Sequence, residues 1–116
     1  MSPSFFSDIE AIRFVGPDAT PDTLGFRVYD PDREVAGRRM EDHLRFAVCY
    51  WHTFCWPGDD VFGDGTFDRP WQAPGDEMAR AHEKLDVAFE FVSKLGVPFF
   101  CFHDRDIAPE ASTFRE

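Results

Sequence analysis

One helix with both of its ends written into the chain constrains the fold more than anything else. Met78, Ala81, Leu85, Ala88, Val92 and Leu95 recur at intervals of 3, 4, 3, 4 and 3, which lays one apolar stripe along a helix. Asp76 suits the N-cap and Glu77 the positive end of the helix dipole, while Gly96 supplies a stop. Apolar runs flank it on both sides, Leu44 to Trp51 before and Val97 to Phe102 after. Both runs are short for helices and read as buried strands. In the first run Leu44, Val48 and Trp51 also share a helical face, so helix is the competing reading there. Strand, long connection, helix and strand together make a βαβ unit with parallel strands, hence an α/β fold.

The other segments read as connections. Residues 1–39 carry Pro3, Pro17, Pro21 and Pro31 with little periodicity, and form an ordered but irregular arm closed by Gly37, Arg38 and Arg39. Met40 to His43 reads as one helical turn. Residues 52–75 form a glycine- and proline-rich loop bearing Phe54, Trp56, Phe62, Phe67 and Trp71. Such long loops tend to be functional. Its rings either cover the core locally or line a ligand cleft or subunit contact, and the second reading is preferred. Thr113 and Glu116 have the T-x-x-E spacing of a capping box, which announces a helix just as the sequence ends and implies a chain cut short.

With 116 residues, 43% of them hydrophobic, the chain can build one small core. Phe is unusually frequent at 14 residues, which implies apolar surface meant for burial against something else. A formal net charge of −10 is repelled by phosphate backbones and argues against nucleic-acid binding. Cys49, Cys55 and Cys101 are odd in number and lie among aromatics, so they read as buried, reduced thiols of a cytoplasmic protein. The N-terminal residues lack the basic and apolar regions of a signal peptide, and no apolar stretch approaches a membrane span.

The second apolar run ends abruptly at His103, and Asp106 follows three positions later. The carboxyl ends of strands are where α/β folds place their chemistry. A carboxylate on one imidazole nitrogen fixes the tautomer and raises the basicity of the other, which makes an oriented acid–base group. Taken alone, H-x-x-D is far more often a local ion pair or turn. Asp104 and Arg105 read as solvated or paired with each other. Cys49, His52, Cys55, Cys101 and His103 are soft metal ligands, but the C-x-x-C and H-x-x-x-H spacings of zinc sites are absent. There is no phosphate-binding loop or nucleophile elbow.

Four segments are more specific: residues 45–56 (RFAVCYWHTFCW), 60–63 (DVFG), 67–71 (FDRPW) and 99–110 (FFCFHDRDIAPE). They resemble the N-terminal part of xylose isomerase of the longer-chain type, and the likeness runs from about Phe5 to Glu116. It departs at Gly25 and Val28, where the family more often reads Ala-Phe-Arg-His/Tyr-Tyr, and at Ala111, usually glycine. The resemblance implies the N-terminal portion of a (β/α)8 TIM barrel. Residues 1–39 would be the arm, and 40–116 the first strand, long loop, helix and second strand.

The resemblance also implies a homotetramer and two divalent metal ions (Mg, Mn or Co). The reaction implied interconverts D-xylose with D-xylulose and D-glucose with D-fructose by ring opening and a metal-assisted hydride shift. His103 corresponds to the histidine that assists opening of the sugar ring, and Asp106 to the carboxylate that orients it. Trp51 corresponds to the floor under the apolar face of the sugar, and Phe62 to a ring reaching into a neighbouring subunit's site. The metal ligands come from later strands in the family, so no metal ligand is expected here and the isolated chain is expected to be inactive. The competing expectation is a non-catalytic βαβ module that binds a partner or a full-length isomerase.

Overall fold

The computed structural model describes residues 3–116. The clearest element is α2, Glu77–Leu95, bounded as the sequence implies. The Asp76 carboxylate accepts from the N–H groups of Met78 (2.8 Å) and Ala79 (3.2 Å). Gly96 closes the other end at φ 73°, a left-handed conformation in which glycine meets no Cβ penalty.

Preceding α2 are a hairpin of β1 (Glu34–Val35) and β2 (Arg38–Arg39), the turn α1 (Met40–His43), and β3 (Ala47–Cys49). After it come β4 (Phe99–Cys101) and the short helix α3 (Asp104–Ile107). Strands β3 and β4 pair in parallel, with Ala47 opposite Phe99, Val48 opposite Phe100 and Cys49 opposite Cys101. The result is a small α/β unit in which one helix connects two parallel strands.

The strands are shorter than the apolar runs. The first run leaves extended structure at Tyr50 and coils into a π-helical turn, Trp51–Cys55, closed by the Trp56 N–H on the Trp51 carbonyl at 2.8 Å. Its last residues therefore side with the helical reading. The physical reason is Phe54, which the coil drives into the core. Phe54 is 2% exposed and packs edge-on against Tyr50, Trp71 and Phe91, at centroid separations of 5.1, 6.4 and 5.5 Å.

Val48, Tyr50, Phe54, Val87 and Ala88 form the buried core, with Leu85, Phe91, Val92 and Leu95 packed around it. Fully buried Val87 lies outside the predicted stripe. The core-facing surface of α2 is centred nearer Val87, Ala88 and Phe91, and Met78 is exposed.

Strand β4 is exposed along its length, contrary to the buried strand expected. Phe100 meets Phe89 of α2 at 5.8 Å, whereas Phe99 and Cys101 alternate onto the opposite face of the sheet. The cysteines follow the same geometry. None is fully buried, Cys49 and Cys55 being partly exposed and Cys101 exposed, and all three are free thiols.

The N-terminal segment is pinned to α2. Glu90 accepts from the N–H groups of Phe5 (2.8 Å) and Phe6 (3.1 Å), and from the Ser4 hydroxyl at 2.5 Å. Further along, the Ile12 N–H donates to the Lys94 carbonyl at 2.7 Å, and Phe14 bridges to Phe26. Gly25 is required at this crossing, because a Cβ there would stand 2.6 Å from the Val15 side chain and 2.8 Å from the Arg13 carbonyl. At residues 112–116 Glu116 accepts from the Ser112 N–H and hydroxyl at 2.9 and 2.6 Å, closing a turn.

Candidate functional site at the end of β4

Two residues beyond β4, His103 adopts an extended conformation (φ −102°, ψ 160°) and serves as the N-cap of α3. The one-turn helix brings Asp106 back onto it. Asp106 Oδ2 accepts the His103 backbone N–H at 2.7 Å and lies 3.1 Å from Nδ1 of the ring. The Asp106 N–H in turn donates to the His103 carbonyl at 3.1 Å.

An ionised carboxylate can only accept, so this contact puts the ring proton on Nδ1 and leaves Nε2 with its lone pair. The His103 side chain is 65% exposed and that of Asp106 only 13%, so the imidazole faces solvent over a largely covered carboxylate. Asp104 and Arg105 are both exposed, the solvated alternative of the two expected, and their side chains do not pair with each other among the described residues. Arg105 reaches Glu110 at 3.1 Å, and Asp104 accepts the Arg105 backbone N–H at 2.8 Å.

Trp51 is the second component. Its ring centroid lies 4.5 Å from that of His103, tilted by 44°. Trp51 opens the π-helical turn, and several contacts hold that turn in place. Arg69 Nε donates to the Trp56 carbonyl at 2.9 Å, with its guanidinium over Phe67 and Trp71. The Trp71 indole donates to the Phe54 carbonyl at 2.8 Å, and the Gln72 amide to the Cys55 carbonyl at 2.6 Å. His52 extends the aromatic surface, 5.9 Å from Trp51 and 5.8 Å from Trp56. Of these supports Trp71 belongs to the loop aromatics and Arg69 to the marked segment 67–71, though the sequence assigns Arg69 no role of its own.

His103, Asp106 and Trp51 are thus brought together, and Phe62 is not. Phe62 projects from a tight turn at Asp60–Gly63, where its N–H is fixed by Asp60 Oδ1 at 2.8 Å, and it is 93% exposed. No ring contact joins it to Trp51 or His103 among the described residues.

Beneath the site two groups are pushed up by burial. The Tyr50 hydroxyl is raised to about 12, first by loss of water and then by the nearby Cys55 and Asp106. The Cys55 thiol is raised for the same first reason, against the opposing pull of Lys84. Among the described residues no three His, Cys, Asp or Glu side chains are grouped to hold a metal ion, so the residues present do not fit a metal centre. No helix among them is long and apolar enough to cross a membrane.

No family model matches the chain. Curated proteins do match it over nearly its whole length. A protein named xylose isomerase from Cronobacter sakazakii is 57% identical over 114 residues, covering 98% of this chain and 26% of that protein. Proteins of the same name from Escherichia fergusonii (57%) and an Enterobacter species (56%) match 113 residues each, 97% of this chain and 26% of theirs. The chain is homologous to proteins named xylose isomerase and spans about a quarter of their length.

Proposed function

We propose that this chain carries the ring-opening part of a xylose isomerase, acting on D-xylose and D-glucose as cyclic sugars. The observation that carries this reading is the His103–Asp106 pair at 3.1 Å with the Trp51 ring 4.5 Å from the imidazole. With Nδ1 held by Asp106, Nε2 is the base. It accepts the proton of the anomeric hydroxyl as the C1–O1 double bond forms and the bond from C1 to the ring oxygen breaks. The imidazolium, stabilised by Asp106, then returns that proton to the ring oxygen and leaves the open-chain aldehyde. Trp51 offers a flat apolar surface to the C–H face of the sugar.

Phe62, at an exposed tip away from this site, is assigned to the site of a neighbouring subunit in a homotetramer. The subsequent hydride shift is not assigned to this chain, because its described residues form no metal centre. The test replaces the matching segment of the Cronobacter sakazakii relative with this chain. The chimaera is expected to isomerise D-xylose, and His103→Asn within it to lower kcat/KM about 10²–10⁴-fold, the usual worth of a general acid–base group. An active chimaera indifferent to that substitution would overturn the assignment. The 116-residue chain alone is expected to form no xylulose with Mg²⁺, Mn²⁺ or Co²⁺.

A further inference from the structure

Trp51 and His103 each lie two residues beyond the Cys49–Cys101 pair that ends the β3–β4 ladder, which sets them side by side. Past that pair they sit on different elements, the π-helical turn and the approach to α3, with their rings 4.5 Å apart. Among the described residues a single hydrogen bond links the π-helical turn to α3. It is the Cys55 thiol donating to the Asp106 carbonyl, at 3.7 Å. The same sulfur accepts from Lys84 Nζ of α2 at 3.4 Å. Three elements therefore meet on one atom, at the opposite end of the π-helical turn from Trp51 and on the backbone of the residue that orients His103.

The surroundings suit that duty. The Lys84 ammonium lies 5.8 Å from the Tyr50 ring centre, and Tyr50 is 1% exposed with a hydroxyl that has no hydrogen-bond partner among the described residues. Only a protonated thiol can donate to a carbonyl, and burial holds Cys55 in that form.

We propose that Cys55, backed by Lys84, is a positioning residue that fixes the Trp51 ring against the His103 imidazole. This rests on the ring-opening reading for its consequence, though not for its geometry. Loss of the sulfur link frees α3 to shift relative to the π-helical turn while leaving the aromatic core that buries Phe54 in place.

The test is proton NMR of the 116-residue chain. The reference is the upfield shift that Trp51 imposes on the His103 ring protons, defined against a Trp51→Leu variant. The Trp71 indole N–H, bonded to the Phe54 carbonyl at 2.8 Å, reports on the core in the same spectrum. Cys55→Val, close in size and without a donor, is expected to lose most of the His103 shift and keep the Trp71 signal. Cys55→Ser, which keeps a donor, is expected to retain the larger part of the shift, and Lys84→Met to lose an intermediate part.

An unchanged His103 shift in Cys55→Val would overturn the proposal. So would simultaneous loss of the Trp71 signal, which would make the sulfur general packing. The ring-opening reading fails by a different route: it falls if His103→Asn leaves the chimaera active, whatever the NMR shifts show.

Discussion

Two carboxylates organise this molecule, and they do so to opposite ends. Glu90 is surrounded by donors: the Ser4 hydroxyl, the N–H groups of Phe5 and Phe6, and the Lys94 ammonium at 3.1 Å. Its partner Lys94 is occupied as well, donating to the Phe6 carbonyl. Nothing in that cluster is left free to react, and it ties the N-terminal segment to α2. Asp106 also accepts a backbone N–H, but its second partner is an exposed imidazole whose other nitrogen has no partner among the described residues. A hub whose partners are all satisfied holds structure, whereas one that leaves a single group free and oriented is fit for chemistry.

The sharpest way to break this comparison is to neutralise each carboxylate. Within the chimaera, Asp106→Asn is expected to lower kcat/KM about 10²–10⁴-fold, because an amide neither fixes the tautomer nor stabilises the imidazolium. Far-ultraviolet circular dichroism should stay unchanged. Glu90→Gln should do the reverse, lowering Tm while leaving kcat/KM within about twofold, since a site without contact to the substitution keeps its barrier. Similar activity losses from both would abolish the distinction.

The next effect is a pH dependence. The hydrogen bond from Ser4 leads the causes that lower the Glu90 carboxyl from 4.5 to about 2, joined by those from Phe5, Lys94 and Phe6 and opposed by loss of water. A carboxyl depressed in the folded state contributes stability that is complete above its unfolded value and fades as it becomes protonated when folded. The Tm difference between the wild-type chain and Glu90→Gln should therefore be full above pH 4.5 and shrink as pH falls to about 2. A difference that persists at the acid end would remove Glu90 as the acid-sensitive clasp.

How much of this could be read from the sequence depends on how local each feature is. Helix α2 was legible because Asp76 and Gly96 act on their own neighbours and the apolar period lies within the helix. The His103–Asp106 contact was legible for the same reason, since i and i+3 meet in one helical turn. What was not legible depends on distant partners. The coil at Trp51–Cys55 is set by where Phe54 can be buried, and the central place of Val87 by which face of α2 meets Phe54 and Val48. The hairpin at Glu34–Arg39 hides behind Ala36, a residue without the usual turn preference that nevertheless adopts φ 51° before Gly37 at φ 76°. Glu90 offered only its i,i+4 spacing to Lys94, because its other partners, Ser4, Phe5 and Phe6, lie more than 80 residues away in sequence. The place of Trp51 beside His103 entered only through the resemblance.

The smallest expected effect calibrates the other two. Asp76 is a third carboxylate accepting backbone N–H groups, those of Met78 and Ala79, and among the described residues it carries no cation or ring. It is a helix cap and nothing more, so Asp76→Ala should cost about 1 kcal/mol in denaturant unfolding, typical of a lost N-cap. Asp76→Asn should cost almost nothing, because Asn offers an equivalent acceptor oxygen. Glu90 cannot be relieved in the same way. Its two oxygens serve several donors, and a Gln amide would turn an N–H₂ group toward N–H groups and an ammonium. If Asp76→Asn and Glu90→Gln proved equally mild, Glu90 would be a simple acceptor like Asp76. The contrast with Asp106 would then have to rest on the free imidazole nitrogen alone.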